Sequence, residues 1–581
     1  MDKYLKNKKI NKFEKEIEPQ EILLDSLAQK KEKEIGVSEK KLETPIPQRI
    51  IFGVRVAILI LFFVFAGRTF QLQIIEGKNY SELSEKNKFI IKEIQAERGV
   101  IYDKYFNQLV FNKSSFDLIC SGKLATDNID HQTLLKIKTS PEDYPGCEIK
   151  NNTVREYASG PLFAHLIGYQ RQMGDTAGLE QYYNGALEPK MGELQIKRDA
   201  RENFISEEIV SLPQSGDSLV LWLDSGLQEK IAVSLEEAIK RAGARGGAAV
   251  AMDPKTGGVL ALVSWPSFDN NLFSGGISQK QWEKMTNDRD KPLFNRAISG
   301  IGYPSGSTIK PIIGLAALEE GIITPETKIY SPLEICVRNP WYPDKEDCYA
   351  DWMYHGISDL RRAIAESVNT FFYQVGGGYE NFKGLGAKKI KEWLEIFGWG
   401  SKTGIDLPGE GDGILPDLTK DWRLGDTYHF SIGQGPLSIP PIQEAAAYVA
   451  IANGGKIFQP QVVYKIIDQD KKTVKEMKPV FLKEIPVSKS NLEVVRQGMR
   501  QAVTTPESPS HILNDLPVAA SAKTGTAQTN EEDVYHNWVT VFAPYDDPQI
   551  VLTIVIEDVR GFQAAVLPVA REVLDWYFST P

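Results

Sequence analysis

Cysteine is scarce, with four in 581 residues, which excludes a small fold stapled by disulfides. Basic charge is not in excess. Sixty-seven Lys and Arg face 77 Asp and Glu, a net of −10. That balance argues against a dedicated nucleic-acid binder, which shows a basic face. A mean hydropathy of −0.28 excludes a chain of many membrane spans. Tandem repeats and low-complexity tracts are absent. What remains is a globular composition, 42% hydrophobic and 25% charged, over a length that calls for two or three domains.

One long apolar run stands out. Ile50–Gly67 is apolar throughout except for Arg55. Eighteen residues at a helical rise span roughly 27 Å, close to a hydrocarbon core of about 30 Å. Arg55 lies near one end and can carry its charge to the interface. A buried core helix is the alternative. A cleaved signal peptide fits worse, because the leader is long and charged and shows no small-residue cleavage site. The preceding Met1–Arg49 carries 12 basic and 10 acidic residues with few aromatics, which reads as a solvated tail. Lys30, Lys31, Lys33, Lys40, Lys41 and Arg49 lie close before the run; Arg68 and Lys78 lie behind it. The basic bias predicts a cytoplasmic tail of residues 1–49, a span over 50–70 and an exported remainder.

Export permits disulfides. The cysteines form two local pairs, Cys120 with Cys147 and Cys336 with Cys348, and either could bridge. Cys336, Cys348, Asp351 and His355 form a second possibility, a metal site, though their spacing is irregular.

Residues 71–212 mix strand-like runs (Phe116–Cys120, Leu194–Ile196) with polar stretches and offer neither a nucleophile nor paired carboxylates. They read as a pedestal or interaction domain. A turn-rich linker, Leu212 to Asp217, opens residues 213–581. There a strand at Ser218–Leu223 precedes a helix carrying Leu227, Ile231, Leu235 and Ile239. Runs at Ala248–Met252 and Val259–Ser264, joined by Asp253-Pro254-Lys255-Thr256-Gly257-Gly258, predict a β-hairpin. Val539–Phe542 and Ile550–Ile556 can join the same sheet. Helical segments lie between them, at Pro311–Glu320, Leu360–Val375, Ala387–Phe397 and Ile442–Ala452. The fold class is therefore α+β, an antiparallel sheet with a large helical insert.

Chemistry concentrates at Gly306-Ser307-Thr308-Ile309-Lys310-Pro311. Gly302, Pro304 and Gly306 break the chain, and an apolar helix follows, so Ser307 opens a helix whose first N–H groups lack intrahelical partners and can face an oxyanion. Lys310 lies one turn on, along the same face. A lysine taken out of water holds its proton weakly and can accept one from serine. Ser38 and Lys41 repeat the spacing inside the charged tail, where nothing desolvates the lysine. Lys-Thr-Gly occurs three times. Lys255-Thr256-Gly257 sits in the hairpin turn and Lys402-Thr403-Gly404 in a loop. Lys523-Thr524-Gly525 follows a small-residue strand, Val518 to Ala522, and continues into Thr526. A glycine there lets a backbone approach a ligand closely, and the lysine and hydroxyls suit an extended anionic peptide. Ser367-Val368-Asn369 follows a helical stretch and draws its weight from this company.

Together, Ser307 through Lys310, Ser367-Val368-Asn369 and Lys523 through Thr526, in that order, resemble the penicillin-recognising serine transferases, for which this motif set is established. Gly425-Asp426-Thr427, Ser431 through Gly435 and Ala452 through Gly455 are also family-like, while Ser305 stands where proline is usual. Arg98-Gly99-Val100-Ile101-Tyr102-Asp103-Lys104 and Gly178 through Tyr183 resemble the pedestal of class B, monofunctional penicillin-binding proteins. Tyr105-Phe106-Asn107 departs from the family's Asn-Gly turn. The resemblance covers roughly residues 50–581. Glu366-Ser367 through Gln374, with Gly425-Asp426-Thr427, is most similar to the penicillin-binding protein 2 branch that serves elongation; the division-specific branch is the near rival. A β-lactamase, a β-lactam sensor and a silent scaffold are more distant readings.

The resemblance implies a peptidoglycan D,D-transpeptidase with Ser307 as nucleophile and Lys310 as base. Ser367 with Lys523 would relay a proton, and Asn369 would orient the peptide. Thr524, Gly525 and Thr526 would bind the substrate's terminal carboxylate. It further implies stem peptides and β-lactams as ligands, membrane attachment, and a SEDS-type glycosyltransferase with elongation-complex scaffold proteins as partners. The chemistry needs no diffusible cofactor.

Overall fold

The computed structural model describes residues 30–31, 33–34, 47–171, 175–199, 201–300, 302–339, 341–342, 344–419, 421–561 and 564–580, with backbone alone at 83–88. Most of the charged tail, Ser38, Lys40 and Lys41 included, lies outside the described residues. The chain divides into two compact units, Met1–Ile90 with Ile196–Glu207, and Ile91–Gln195 with Glu208–Pro581.

In the first unit the apolar run forms a helix, Gln48–Phe70, with none of its residues buried. The candidate span extends through Ile75 and is 28 residues long. A core helix would bury its leucines and phenylalanines. This one leaves Ile58, Phe62 and Phe65 more than 60% exposed, as a helix solvated by lipid would.

The second unit contains two large sheets. One has seven strands and joins Ile101–Tyr102, Gln108–Cys120, Lys123–Thr126 and Cys147–Tyr157 to Ser218–Leu221, Val463–Ile467 and Thr473–Glu476. The strand read at Ser218–Leu223 belongs here. It runs parallel to Ile101–Tyr102 and antiparallel to Val463–Ile467. Beneath this sheet the Glu180 carboxylate, fully buried, accepts from Arg98 Nε at 2.8 Å and from Arg155 Nε and Nη2 at 2.8 and 2.6 Å. Arg98 Nη2 also donates to the Glu180 carbonyl at 3.0 Å.

The other sheet has five antiparallel strands, β1 Gly246–Met252, β2 Val259–Trp265, β3 Ser521–Gln528, β4 Val534–Ala543 and β5 Ile550–Arg560, in the order β2-β1-β5-β4-β3. The hairpin, Val539–Phe542 and Ile550–Ile556 all lie in it as the sequence indicates. Alternation sets its two faces. Ala249 and Ala251 of β1 pack with Leu227, Ile231 and Leu235 of α1 (Ser225–Ala242) on one side. Ala248, Val250 and Met252 pack on the other side with the helical insert. The insert contains α2 Lys310–Glu319, α3 Leu360–Ala365, α4 Asn369–Gly377 and α5 Pro441–Ala452. An α+β architecture is what these elements make. One helix expected over Leu360–Val375 is two. The chain turns at Glu366–Val368, where Ser367 has φ +58°, a left-handed conformation that only surrounding contacts sustain.

Both cysteine pairs are disulfides between directly paired strand residues, Cys120 with Cys147 and Cys336 with Cys348.

The Arg98–Glu180–Arg155 cluster yields a stability prediction. Removing the carboxylate by Glu180→Ala leaves two buried guanidiniums unpaired and should cost about 3–5 kcal/mol, read as a lowered urea midpoint for this unit. An unchanged midpoint would show that the cluster contributes nothing.

Candidate active site

Four contacts fix the nucleophile segment. Trp538 Nε1 donates to Pro304 O at 2.9 Å. Gly306 N donates to Gly433 O at 2.9 Å. Tyr448 donates to Thr308 O at 2.6 Å, and Tyr303 donates to Glu557 Oε2 at 2.8 Å. Gly433 has φ +77°, and a Cβ there would sit 2.0 Å from Gly306 O, so this contact requires glycine. Residues Gly306–Ile309 form one 3₁₀ turn that runs into α2, with Pro311 in its first turn, where a missing N–H costs nothing. Ser307 is half-buried while Gly306, Thr308, Ile309 and Lys310 are buried. Among the described residues no hydrogen bond holds the Ser307 hydroxyl.

Lys310 and Lys523 are 0% and 1% exposed, two of the largest fully buried side chains in the chain. Lys310 Nζ lies 2.7 Å from Ser367 O, 2.7 Å from Asn369 Oδ1 and 3.2 Å from Ser367 Oγ. Two of these atoms, the Ser367 carbonyl and Asn369 Oδ1, can only accept. A neutral amine has two N–H bonds, so those two acceptors use both, and its lone pair remains for a hydroxyl. Burial drives the Lys310 amine down to about 7, against the opposing pull of the Asp351 carboxylate. Lys523 Nζ donates to Ser367 Oγ at 3.0 Å and Thr524 O at 2.9 Å. Burial, and then the charge of Lys310, push it well below the usual lysine range. The left-handed turn at Ser367 thus aims its hydroxyl between two amines.

The strand β3 is one edge of the sheet. Lys523, Thr524, Gly525 and Thr526 pair with Thr540, Val539, Trp538 and Asn537 of β4 on one side, and the other side is open to an extended peptide. It runs directly against the nucleophile turn: a Cβ on Gly525 would lie 2.6 Å from Ser305 O. Gln434 Nε2 donates to Thr526 O at 3.3 Å. Ser307, Lys310, Ser367, Asn369, Lys523 and Thr526 are therefore brought together from three parts of the sequence. The other Lys-Thr-Gly copies lie elsewhere. Lys255 pairs with Asp547 on the surface at 2.8 Å, and Thr403 is held by Glu410.

The possible metal set Cys336, Cys348, Asp351 and His355 is corrected by the structure. Both sulfurs are spent in the disulfide, so no thiolate is left to ligate. Asp351 instead accepts from Thr370 N and Oγ1 at 2.7 and 2.9 Å, anchoring the first turn of α4, which carries Asn369. His355 lies between Asp351, at 3.6 Å, and Glu366, at 2.8 Å. Burial opposes its charge, but the two carboxylates hold its pKa above the usual histidine value.

Sequence reading missed Glu444. It is fully buried in α5, and burial raises its carboxyl to about 8. Its signal was an acidic residue, next to Gln443, inside the largely apolar run from Ile442 to Ala452.

Residues 247–575 match the penicillin binding protein transpeptidase domain, and residues 123–221 the penicillin-binding protein dimerisation domain. The peptidoglycan D,D-transpeptidase MrdA of Escherichia coli strain K12 is 30% identical, over 89% of this chain and 92% of that protein. Penicillin-binding protein PBP2 of Helicobacter pylori, solved in complex with MreC, has 26% identity and a TM-score of 0.73, covering 85% of this chain and 99% of that one. Pseudomonas aeruginosa PBP2 in complex with WCK 5153 has 28% identity and a TM-score of 0.64, covering 84% and 96%. With the two-lysine, two-serine cluster lying inside the matched domain, the chain belongs to the penicillin-binding protein transpeptidase family.

Proposed function

We propose that this chain is a class B peptidoglycan D,D-transpeptidase of cell-wall elongation, that it works through a serine acyl-enzyme, and that β-lactams inactivate it. The observation that carries the reading is the pair of buried lysines meeting at the Ser367 hydroxyl, one turn from Ser307 and against an open strand edge. The basic residues before the apolar helix favour an inside N-terminus and an exported body. Residues 1–49 serve as the tail, 50–70 as the span, 71–212 as the pedestal and 213–581 as the transpeptidase domain.

The stem peptide lies along β3, its terminal carboxylate among Lys523, Thr524 and Thr526. Ser307 Oγ attacks the carbonyl between the two terminal D-alanines as its proton passes to the Lys310 lone pair. The N–H groups of Ser307 and Thr526 receive the oxyanion. The C–N bond breaks, and the leaving D-alanine amine takes a proton from Lys310 by way of Ser367 and Lys523. Asn369 keeps Lys310 oriented. An amine of a neighbouring strand then attacks the ester and gives up its proton along the same path, and Ser307 is regenerated with a new peptide bond made. A β-lactam opens on Ser307 in the same way but tethers its leaving group, so the ester persists. Structures of relatives described as PBP2 with MreC and as a peptidoglycan synthase complex support a SEDS-type glycosyltransferase and an elongation scaffold as partners.

Two outcomes follow. Intact mass after benzylpenicillin should show one adduct, mapped to the segment bearing Ser307. It should vanish in Ser307→Ala and fall ~10²–10⁴-fold in rate in Lys310→Ala; an adduct mapped elsewhere rejects the assignment. Because the free amine is the active form of Lys310, acylation should climb with pH through about 7. A rate flat across that range would remove Lys310 as the base.

A further inference from the structure

Two short stretches beside the site carry apolar side chains where water calls for polar ones. Ile329–Ser331 pairs antiparallel with Gly356–Ser358, with Tyr330 opposite Ile357. Alternation buries Ile329, Ser331 and Ser358 and turns Tyr330 and Ile357 outward. Leu333, Trp352, Met353 and Tyr354 join these two, and the side chains of the set are 42–62% exposed. They adjoin one another. The Tyr330 and Tyr354 rings stand edge to face with centroids 6.3 Å apart. Asp351 N donates to Leu333 O at 2.6 Å, which brings the second stretch alongside the first. Single apolar residues on a surface are ordinary, whereas a contiguous patch marks a binding surface.

The patch is continuous with the catalytic cleft. Trp352 Nε1 donates to Glu366 O at 3.2 Å, and its ring packs against His355 with centroids 5.3 Å apart. Glu366 directly precedes Ser367, across the cleft from the body of β3. The carboxylates beneath the patch are spent, Glu366 on Arg362 and His355 and Asp351 on Thr370. What faces outward is a set of neutral ring faces with hydroxyl rims, and such rings give up little conformational freedom on binding. Resting on the transpeptidase reading, we propose that this patch binds the glycan backbone of the substrate strand. A stem peptide is joined to a sugar, and about five extended residues reach no more than about 17 Å. A stem peptide at Ser307 therefore brings its sugars within reach of a surface that begins beside Ser367. A pyranose ring has apolar C–H faces and a polar rim, the complement of Tyr330, Trp352 and Tyr354. A patch without free charge fits N-acetylated sugars and not a phosphate or a polyanion.

The test is a calorimetric titration of peptide-free, N-acetylated glycan strands into the full-length chain in detergent, beside the rate of Ser307 acylation by benzylpenicillin. The wild type should bind the strands. Tyr330→Ala combined with Tyr354→Ala should weaken binding by at least about tenfold. Tyr330→Phe combined with Tyr354→Phe keeps the ring faces and should stay within about threefold of wild type. Benzylpenicillin carries no sugar, so its acylation rate should stay within about twofold in both variants, which also reports that they are folded. Strands that do not bind the wild type, binding unweakened in the Ala variant, or a penicillin rate that falls as far as strand binding does, each overturns the proposal. Ile357→Asn, on the same patch, decides the matter should the Ala variant not fold: unweakened strand binding there overturns it as well. A wild type that binds strands but forms no penicillin adduct at Ser307 would instead overturn the proposed reaction, so the two failures are distinct.

Discussion

The site depends on two lysines that cannot both be charged. Their amines lie 3.2 and 3.0 Å from one hydroxyl oxygen, so they are no more than about 6 Å apart. At an effective dielectric of 20, two positive charges at that separation repel by ~3 kcal/mol, and each has already lost its hydration by burial. Neutralising at least one amine removes both penalties. A group that is ordinarily a permanent cation thereby becomes a base at neutral pH. Nothing local to Ser307, Lys310 or Lys523 accomplishes this alone. It requires the fold to bring them to one point and keep water out.

The fold does so by close backbone approach. The nucleophile turn lies between β3 and the loop containing Gly433, and glycine occupies the tight positions: side chains at Gly433 or Gly525 would collide with Gly306 O or Ser305 O. Behind the turn, Trp538 and Tyr448 donate to its carbonyls. Across the cleft, Asp351 holds the start of α4 through Thr370, and Ser367 accepts a left-handed backbone so that its carbonyl and hydroxyl both face Lys310. The strain is local, and a buried carboxylate, a helix start and two amines over-determine it. The same sheet that buries its faces against α1 and the insert leaves the outer side of β3 unpaired, at the place where the proposed peptide enters.

Much of this was legible in order and type of residue. Ser307 with Lys310, Ser367 with Asn369 and Lys523 with Thr526 make up the proposed site and stand in that order in the sequence, and context separated Lys523 from Lys255 and Lys402, because a strand of small residues differs from a turn. The hairpin of the central sheet was legible too, from the apolar runs Ala248–Met252 and Val259–Ser264 about a turn, but its two faces were not, because every residue of Ala248–Met252 is apolar. What was hidden depended on partners distant in sequence. The apolar period through Leu360–Val375 reads as one helix, and the break at Ser367 goes with contacts distant in sequence, Lys310 on Ser367 itself and Asp351 on Thr370 at the start of the next helix. Ser218–Leu221 reads as a strand, but its neighbours, Ile101–Tyr102 and Val463–Ile467, lie more than 100 residues away on either side. Cys336 and Cys348 were compatible with a bridge or a ligand set until pairing of their strands put them face to face.

Burial acts in opposite senses on the two kinds of acid around this turn. It lowers Lys310 and Lys523 and raises Glu444, and each shift favours the uncharged form. The cleft therefore has little fixed charge of its own, and the strongest charge to enter it is the carboxylate of the proposed ligand. An anion against Lys523, Thr524 and Thr526 raises the proton affinity of the amines beside it, at the same moment that a carbonyl arrives over Ser307. The proton leaving the Ser307 hydroxyl then has somewhere more favourable to go than it had before binding. In the proposed reaction, substrate recognition and base strength are thus coupled through one buried field, and a ligand lacking the carboxylate forfeits both.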